Sequence, residues 1–595
     1  MRDPPPDVTP IARPPGLTAA DFAVAALFLA VPLAASTGFW DQFTTVKWYT
    51  LETLTVAWFL MELWRCRSCG WPAFVKKRWT ACACLLLGAL VLLGSLRAGV
   101  AWAAPALLDR VCFVLLALAS YWYFRRNQGW TGAAAWGACV ALAFVVVVGL
   151  AQTMGWNPLS SLTAGDQRSA FFGNVNLTAQ FLGLAVIFAL AGFDANSSRR
   201  TWIVVVRATL ATASFVYLYF LSCRSVFLAL GAALVVLLAS GRLTARSVAR
   251  MVGAATAGTL LLIHLGPALG RRIIHLLTPE VMANKALSTE MRLAVWGGTL
   301  RLIRDHPLGV GSGNFGDAFI PYQLGLGSIP GESLLFRTPH NEYLRTLAEE
   351  GLVFGVLAAA VLVLLLRRLH AAVRSGRTNA AALLWAGIAF VAVESCFQFP
   401  LGTAFGCLTA AVLLGLAVAE LQAPGTGTGG AVQSRRSLLR WQISGTIAVA
   451  GSLVVLGSVV ASELLFVGHR RDAGAQATAC RLNARNLPAC VTAAWLQAQV
   501  GRRSEARALL VRSLRYSPYY HPAIRLLGEV ATADGDRQAG CLYLWVYDAL
   551  FRERSAVHGR VGLLCGNALP AAVAAGVTVP YYGILPLASK DVSGR

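Results

Sequence analysis

The chain has 595 residues, 56% hydrophobic and only 13% charged, with a mean hydropathy of +0.60 and a formal charge of +23. So little polar surface cannot cover a soluble globule of this size, which excludes that class. The basic residues stand in short clusters between apolar runs and form no stripe interleaved with aromatics, which argues against nucleic acid and for loops held at a cytoplasmic membrane face.

Residues 1–18, with Pro4-Pro5-Pro6 flanked by Asp3 and Asp7, make a poor leader for the apolar run Asp21–Pro32, so an uncleaved first span is expected. Apolar runs matched to a hydrocarbon core of about 30 Å follow. They centre near residues 28, 57, 88, 116, 142, 185, 212, 232, 259, 358, 388, 410 and 454. The expected fold is all-α: a polytopic membrane helical bundle of about 12–13 transmembrane helices with a large external loop and a small C-terminal helical module. Basic clusters follow every even-numbered span: Arg65, Arg67 and Lys76–Arg78; Arg125 and Arg126; Arg199 and Arg200; Arg242, Arg246 and Arg250; Arg367, Arg368, Arg374 and Arg377; Arg435, Arg436 and Arg440. With the N-terminus cytoplasmic, each satisfies the positive-inside rule. The odd exits then face outward: Ser95–Asp109, Gln152–Asn176, Ser222–Ser225, Pro267–Arg345, the turn near Pro400, and all after about Val467, where Arg470 and Arg471 are a mild exception. The domain plan is a cytoplasmic tail (1–18), a membrane domain (19–420) with its external loop (267–345), a flexible linker (421–440), a last span (441–467) and an external module (468–595).

In that module Gly501 and Gly535 lie 34 residues apart, as do Ala506 and Gly540. Gly501, Ala506, Leu510 and Pro518, then Leu527, Gly528 and Gly535, fit tetratricopeptide spacing, with flanking helices expected around 470–495 and 541–566 as caps. Such a module would dock a protein or glycan partner. Of thirteen cysteines, Cys82, Cys84, Cys112, Cys139 and Cys407 lie inside apolar runs and read as small packing residues. Cys66 and Cys69 form a lone CxxC, read as ordinary loop thiols because no second half of a zinc site exists. Cys480 and Cys490 could pair if their segment is exported.

Four features fall on the outer side. Arg168-Ser169-Ala170-Phe171-Phe172-Gly173-Asn174-Val175-Asn176 precedes span six, and Ser222-Cys223-Arg224-Ser225 ends span seven. An arginine at a membrane boundary is costly without a partner or headgroup; snorkelling is the bland alternative for Arg224. In the long loop, Arg292, Trp296, Thr299 and Ile303 share a helical face, followed by His306-Pro307-Leu308 and Gly309-Val310-Gly311-Ser312-Gly313-Asn314-Phe315. Glycines such as Gly311 and Gly313 allow close backbone approach, and free N–H groups there could hold an anion; a lid or tight turn is the plainer reading. The fourth feature is His340-Asn341-Glu342-Tyr343-Leu344 with Glu349-Glu350-Gly351, where an imidazole could take a proton from a hydroxyl. Arginine forks match diphosphate oxygens and would stabilise a lipid-diphosphate leaving group. The residues therefore point to transfer of a group from a polyprenyl diphosphate to a hydroxyl. Rival readings are a transporter of a small anion, disfavoured because the spans are plainly apolar and the polar groups lie at the rim, and a non-catalytic scaffold.

The order of these motifs, above all His306–Gly351, resembles the O-antigen ligase and O-antigen polymerase superfamily, over roughly Arg168–Pro400. The resemblance implies a GT-C-like bacterial inner-membrane glycosyltransferase without metal or cofactor. It would move glycan from undecaprenyl diphosphate to a glycan, lipid or protein hydroxyl on the periplasmic side. By resemblance His340 is the base, and Arg224 and Arg292, with Arg168 as a further candidate, hold the diphosphate. Asn341, Glu342, Gly311, Gly313 and Asn314 stand behind them, as does Glu394, an acid inside span eleven for which pairing with a nearby arginine is the equal alternative. Three departures are Val175 in place of a common proline, Cys223 in place of a common serine, and Gly355 one place late.

Overall fold

The computed structural model describes residues 18–39, 41–65, 78–96, 100–127, 131–162, 168–191, 201–241, 243–265, 279–324, 336–374, 380–421 and 435–550. Within them the protein is helical and has no strand, an all-α membrane bundle with an appended helical module. The membrane helices are α1 (Ala19–Leu33), α2 (Thr44–Arg65), α3 (Arg78–Leu96), α4 (Val100–Arg126), α5 (Gly132–Thr153), α6 (Val175–Ala191), α7 (Thr201–Leu221), α8 (Arg224–Ala239) and α9 (Ala245–Leu265). After the loop helices α10 (Pro279–Asp305) and α11 (Phe315–Leu324) come α12 (Glu342–Arg374), α13 (Ala381–Ser395), α14 (Ala404–Glu420) and α15 (Arg435–Gly468). Every one of the thirteen apolar runs is a helix. The Cys66/Cys69 pair, the glycine-rich part of the linker and everything after Leu550 lie outside the described residues.

Five of these helices (α4, α5, α7, α12 and α15) are long and apolar enough to cross a membrane by length and composition. The others include α1 and α13 at 15 residues, α8 at 16, and α6 and α14 at 17. At 1.5 Å per residue these rise only about 22–26 Å, less than a hydrocarbon core of about 30 Å. Their shortness has a local cause. α6 begins only after the 168–174 segment, α8 after the Ser222 turn, and α14 after the 3-10 turn Pro400–Gly402. Irregular backbone thus takes helical turns away from one end of the bundle, tolerable only where protein buries it or it lines a cavity.

The helices hold each other by close approach of small residues and by aromatic fill. α14 lies along α4, where a Cβ on Gly415 would come within 2.7 Å of Ala117 O and Tyr121 N. Phe28, Phe181, Phe188 and Phe405 interlock between α1, α6 and α14, with ring centroids 4.7–5.9 Å apart. The two ends of the bundle differ. At one, Glu62 at the end of α2 meets Arg126 at the end of α4, and Tyr123 Oη donates to Asp21 at 2.6 Å. At the other, the described parts of the odd-numbered exits gather. Lys47 Nζ donates to Ala34 O at 2.5 Å and Phe171 O at 2.6 Å, and Trp102 Nε1 to Asn314 Oδ1 at 2.8 Å.

The module consists of α16 (Ala473–Leu482), α17 (Leu487–Gln499), α18 (Arg503–Tyr516), α19 (His521–Ala533) and α20 (Arg537–Leu550). The pair α19–α20 repeats the pair α17–α18 at the 34-residue spacing, and Gly501 and Gly535 turn the chain at equivalent points with φ of 81° and 85°. Leu510, Leu514, Ile524, Leu527 and Leu544 fill the core between them. Cys480 and Cys490 form a disulfide. The module seats directly on α15, where Asn486 Nδ2 donates to Ser462 Oγ at 3.0 Å and Ser462 Oγ to Ala479 O at 2.7 Å.

Candidate functional site

Three non-glycine residues have positive φ among the described residues: Ala170 (46°), Ser222 (54°) and His340 (49°). Each lies in one of the outer motifs, and each left-handed residue costs of order 1 kcal/mol or more unless its surroundings hold it there. His340 is held from three sides. Trp296 Nε1 of α10 donates to Pro339 O at 2.9 Å, Asn341 Nδ2 donates to Cys396 O at 3.1 Å, and His340 Nδ1 lies 3.3 Å from Gln398 Oε1. With the amide oxygen facing it, Nδ1 carries the proton and donates; Nε2 is left with its lone pair as the basic nitrogen. Burial pulls the His340 imidazole below its ordinary value, the Gln398 bond opposes this, and the Arg292 charge adds to it.

Arg292 comes to His340 because α10 is amphipathic as its spacing foretells. Val295, Thr299, Leu302 and Ile303 are buried, whereas Leu293 and Leu300 face outward. With Phe315 and Phe319 of α11 and Ala348 of α12 they make a small core of their own. One compact body therefore carries both Arg292 and His340. Arg292 also lies within electrostatic reach of Arg224, Cys223 and Glu394, and burial draws its guanidinium below its ordinary value while Cys223 and Glu394 oppose the shift. Arg224 is the first residue of α8, and Cys223 occupies the N-cap position without a side-chain capping bond. Glu394, at the end of α13, is fully buried; its Oε1 accepts from Ser225 Oγ at 3.2 Å, and its Oε2 has no hydrogen-bond partner. Arg292 thus centres an electrostatic cluster, within reach of His340, Arg224 and Glu394 from three other segments.

Arg168 enters through its backbone: its carbonyl accepts from Tyr217 Oη at 2.6 Å, one turn before the Ser222 bend. Asn341 and Glu342 flank the histidine but spend their polar atoms on structure. Asn341 Oδ1 caps Leu344 N at 3.0 Å; Glu342 takes Arg345 Nη2 at 2.6 Å and Leu401 N at 3.2 Å, fixing the 3-10 turn. Gly311, Gly313 and Asn314 stand apart from the cluster. Val310 N donates to Ala348 O at 2.9 Å, Gly311 N to Glu349 O at 2.8 Å and Leu352 N to Pro307 O at 2.8 Å, so the loop is sewn to α12 where Gly351 (φ 88°, ψ 168°) breaks that helix. A Cβ on Gly351 would come within 2.9 Å of Leu308 and Gly309 backbone atoms, so glycine serves close approach of two chains here. With these N–H groups occupied, the glycine turn is a joint between α10 and α12. Asn314 faces the C-terminal module.

The sequence did not single out Gln398, though an amide at the outer end of an apolar span was the available signal. Ser225 was visible in its motif; its partnership with Glu394, 169 residues away, was not.

Residues 184–360 match the family model described as O-antigen ligase. This segment is an O-antigen ligase domain. It contains Arg224, Arg292, the glycine loop and His340, and ends before Glu394 and Gln398. The matched segment is under a third of the chain, and it supports an O-antigen ligase/polymerase-like membrane glycosyltransferase. No curated protein matches the chain.

Proposed function

We propose that the O-antigen ligase domain moves a glycan from undecaprenyl diphosphate to a hydroxyl acceptor on the periplasmic side of the inner membrane. The observation that carries this reading is the meeting of Arg224 and Arg292 with a strained, tautomer-fixed His340 at the end of the bundle where the helices are cut short. The acceptor hydroxyl gives its proton to His340 Nε2 as its oxygen attacks the anomeric carbon. The bond from that carbon to the phosphate oxygen breaks, and the lipid diphosphate leaves carrying the electron pair. Arg224 and Arg292, with Arg168 as a further contact, hold the diphosphate and meet the charge that develops on it. Glu394 balances the cluster when no diphosphate is bound.

The periplasmic assignment is supported by the basic even-numbered exits and by the Cys480–Cys490 disulfide, a bond of oxidising compartments, in a module seated at the same end as the cluster. The two paired helix units fit a tetratricopeptide-like module that docks a protein or glycan partner.

The deciding experiment is release of undecaprenyl diphosphate from a lipid-linked glycan by purified protein, run with lipid A core, glycan and protein hydroxyl acceptors. Acceptor-dependent release establishes glycosyl transfer; none with all three refutes it. Orientation is tested with Leu308→Cys, an exposed site beside the joint, in protein whose free cysteines are replaced. An impermeant maleimide should label it from the periplasmic face of spheroplasts, and labelling only after lysis would reverse the assignment.

A further inference from the structure

The contacts between the C-terminal module and the membrane domain converge on one side chain. Arg485 Nε donates to Trp102 O at 2.7 Å, Nη1 to Gly313 O at 3.1 Å, and Nη2 to Ser312 O at 3.1 Å and Asn314 Oδ1 at 3.0 Å. Its guanidinium lies 4.8 Å from the centroid of the Trp102 ring. Trp102, at the outer start of α4, is buried in a seat made by Ala484, Leu487, Tyr516 and Tyr520 of the module, with Tyr516 stacked on it at 5.4 Å. Ser517 donates to Asp317 on α11, a second fastening to the same loop body. Arg485 itself stands in the ten-residue stretch closed by the Cys480–Cys490 disulfide, next to the Asn486 that ties the module to α15. The guanidinium therefore projects from a braced support.

We propose that Arg485 is a positioning residue for glycan transfer, clamping the 306–314 loop and thereby the body that carries Arg292 and His340. The proposal rests on the transferase reading above. The path is short and continuous. Arg485 takes the carbonyls of Ser312 and Gly313 and the side chain of Asn314; the amides of Val310 and Gly311, in the same turn, hold Ala348 O and Glu349 O at the end of the head of α12. That head begins at Glu342, two residues after His340, and α10, which runs into the loop, carries Arg292 and the Trp296 that holds Pro339. Gly311 and Gly313 give this joint backbone freedom, and each is fixed from outside it, Gly311 N by Glu349 O and Gly313 O by Arg485. A clamp on such a joint fixes geometry without touching substrate. It also explains why a five-helix module sits at this end of the bundle: a partner held by the module would act on the cluster through this contact.

The test uses full-length protein carrying Arg485→Ala, Trp102→Ala or both, with Arg485→Lys as the conservative variant. Steady-state transfer and amide hydrogen exchange of the 306–314 segment are measured together. Arg485→Ala is expected to speed exchange at Val310 and Gly311 and to lower kcat by about ten- to a hundredfold, the range for a displacement of order 1 Å, with donor KM within about twofold. Arg485→Lys, lacking the fork, should recover only part of kcat. The double variant should lose less than the two singles combined, since both side chains bind Asn314 Oδ1 and pack on each other. Unchanged exchange and kcat would overturn the proposal, as would additive losses or an effect confined to KM, which would make Arg485 a donor contact. If wild-type protein transfers no glycan while Arg485→Ala still loosens the loop, the transferase reading has failed and the clamp has not.

Discussion

Replacing His340 with alanine is expected to lower acceptor-dependent release of lipid diphosphate by about a hundred- to ten-thousandfold, the range for loss of a positioned general base. The backbone complicates that experiment, because His340 sits at φ 49° and alanine tolerates this region less well. His340→Asn separates the two effects: asparagine accepts left-handed backbone and keeps a polar partner for Gln398, yet has no base. Equal losses in the two variants assign the defect to proton transfer, and full activity in either removes His340 from the mechanism. The pH profile gives an independent reading. A base works in its neutral form, and burial depresses the His340 imidazole below its ordinary 6.5. Activity should therefore persist as pH falls through 6.5 and decline only below the depressed value. Gln398→Glu would put a carboxylate at Nδ1, favour the imidazolium and move the acid limb upward; an unmoved limb would mean that another group titrates.

How far the sequence could be read depended on how local the signal was. The thirteen apolar runs became helices because hydropathy over some twenty residues is a local property, and the buried face of α10 followed from a spacing of three and four residues. Helix length was not legible in the same way. The turns at Ser222–Ser225 and near Pro400 could be placed, but not how many helical turns they remove, nor that Glu342, 59 residues from Leu401, fastens the 3-10 turn. The cluster was legible as motifs and not as geometry. His340 carries no mark that it will be left-handed, and its partner Gln398 lies 58 residues away on another element. The glycine loop could be read as an anion cradle or a tight turn, since the glycines say only that the backbone comes close to something. What it approaches is α12 on one side and Arg485, 172 residues downstream of Gly313, on the other.

Arg292→Ala is expected to reduce kcat by about a hundred- to a thousandfold, the range for removing one preorganised group aimed at developing negative charge. Two things set the size of this effect. The arginine is partly desolvated, so its charge acts through a medium poorer than water, and it is carried on the same rigid body as His340, so base and charge acceptor are placed together. Arg292→Lys should remain strongly impaired, because a point charge cannot make the paired contacts of a guanidinium to phosphate oxygens. A structural objection has to be met. Glu394 is fully buried within electrostatic reach of Arg292, and removing the arginine takes a positive neighbour from a carboxylate that burial already disfavours. Lower activity could then reflect a smaller folded fraction. The double variant Arg292→Ala/Glu394→Gln removes both charges and should recover thermal stability. If it regains stability and stays inactive, Arg292 acts on the diphosphate. If activity returns with stability, its part is to neutralise Glu394, and Arg224 is left as the cation that meets the leaving group.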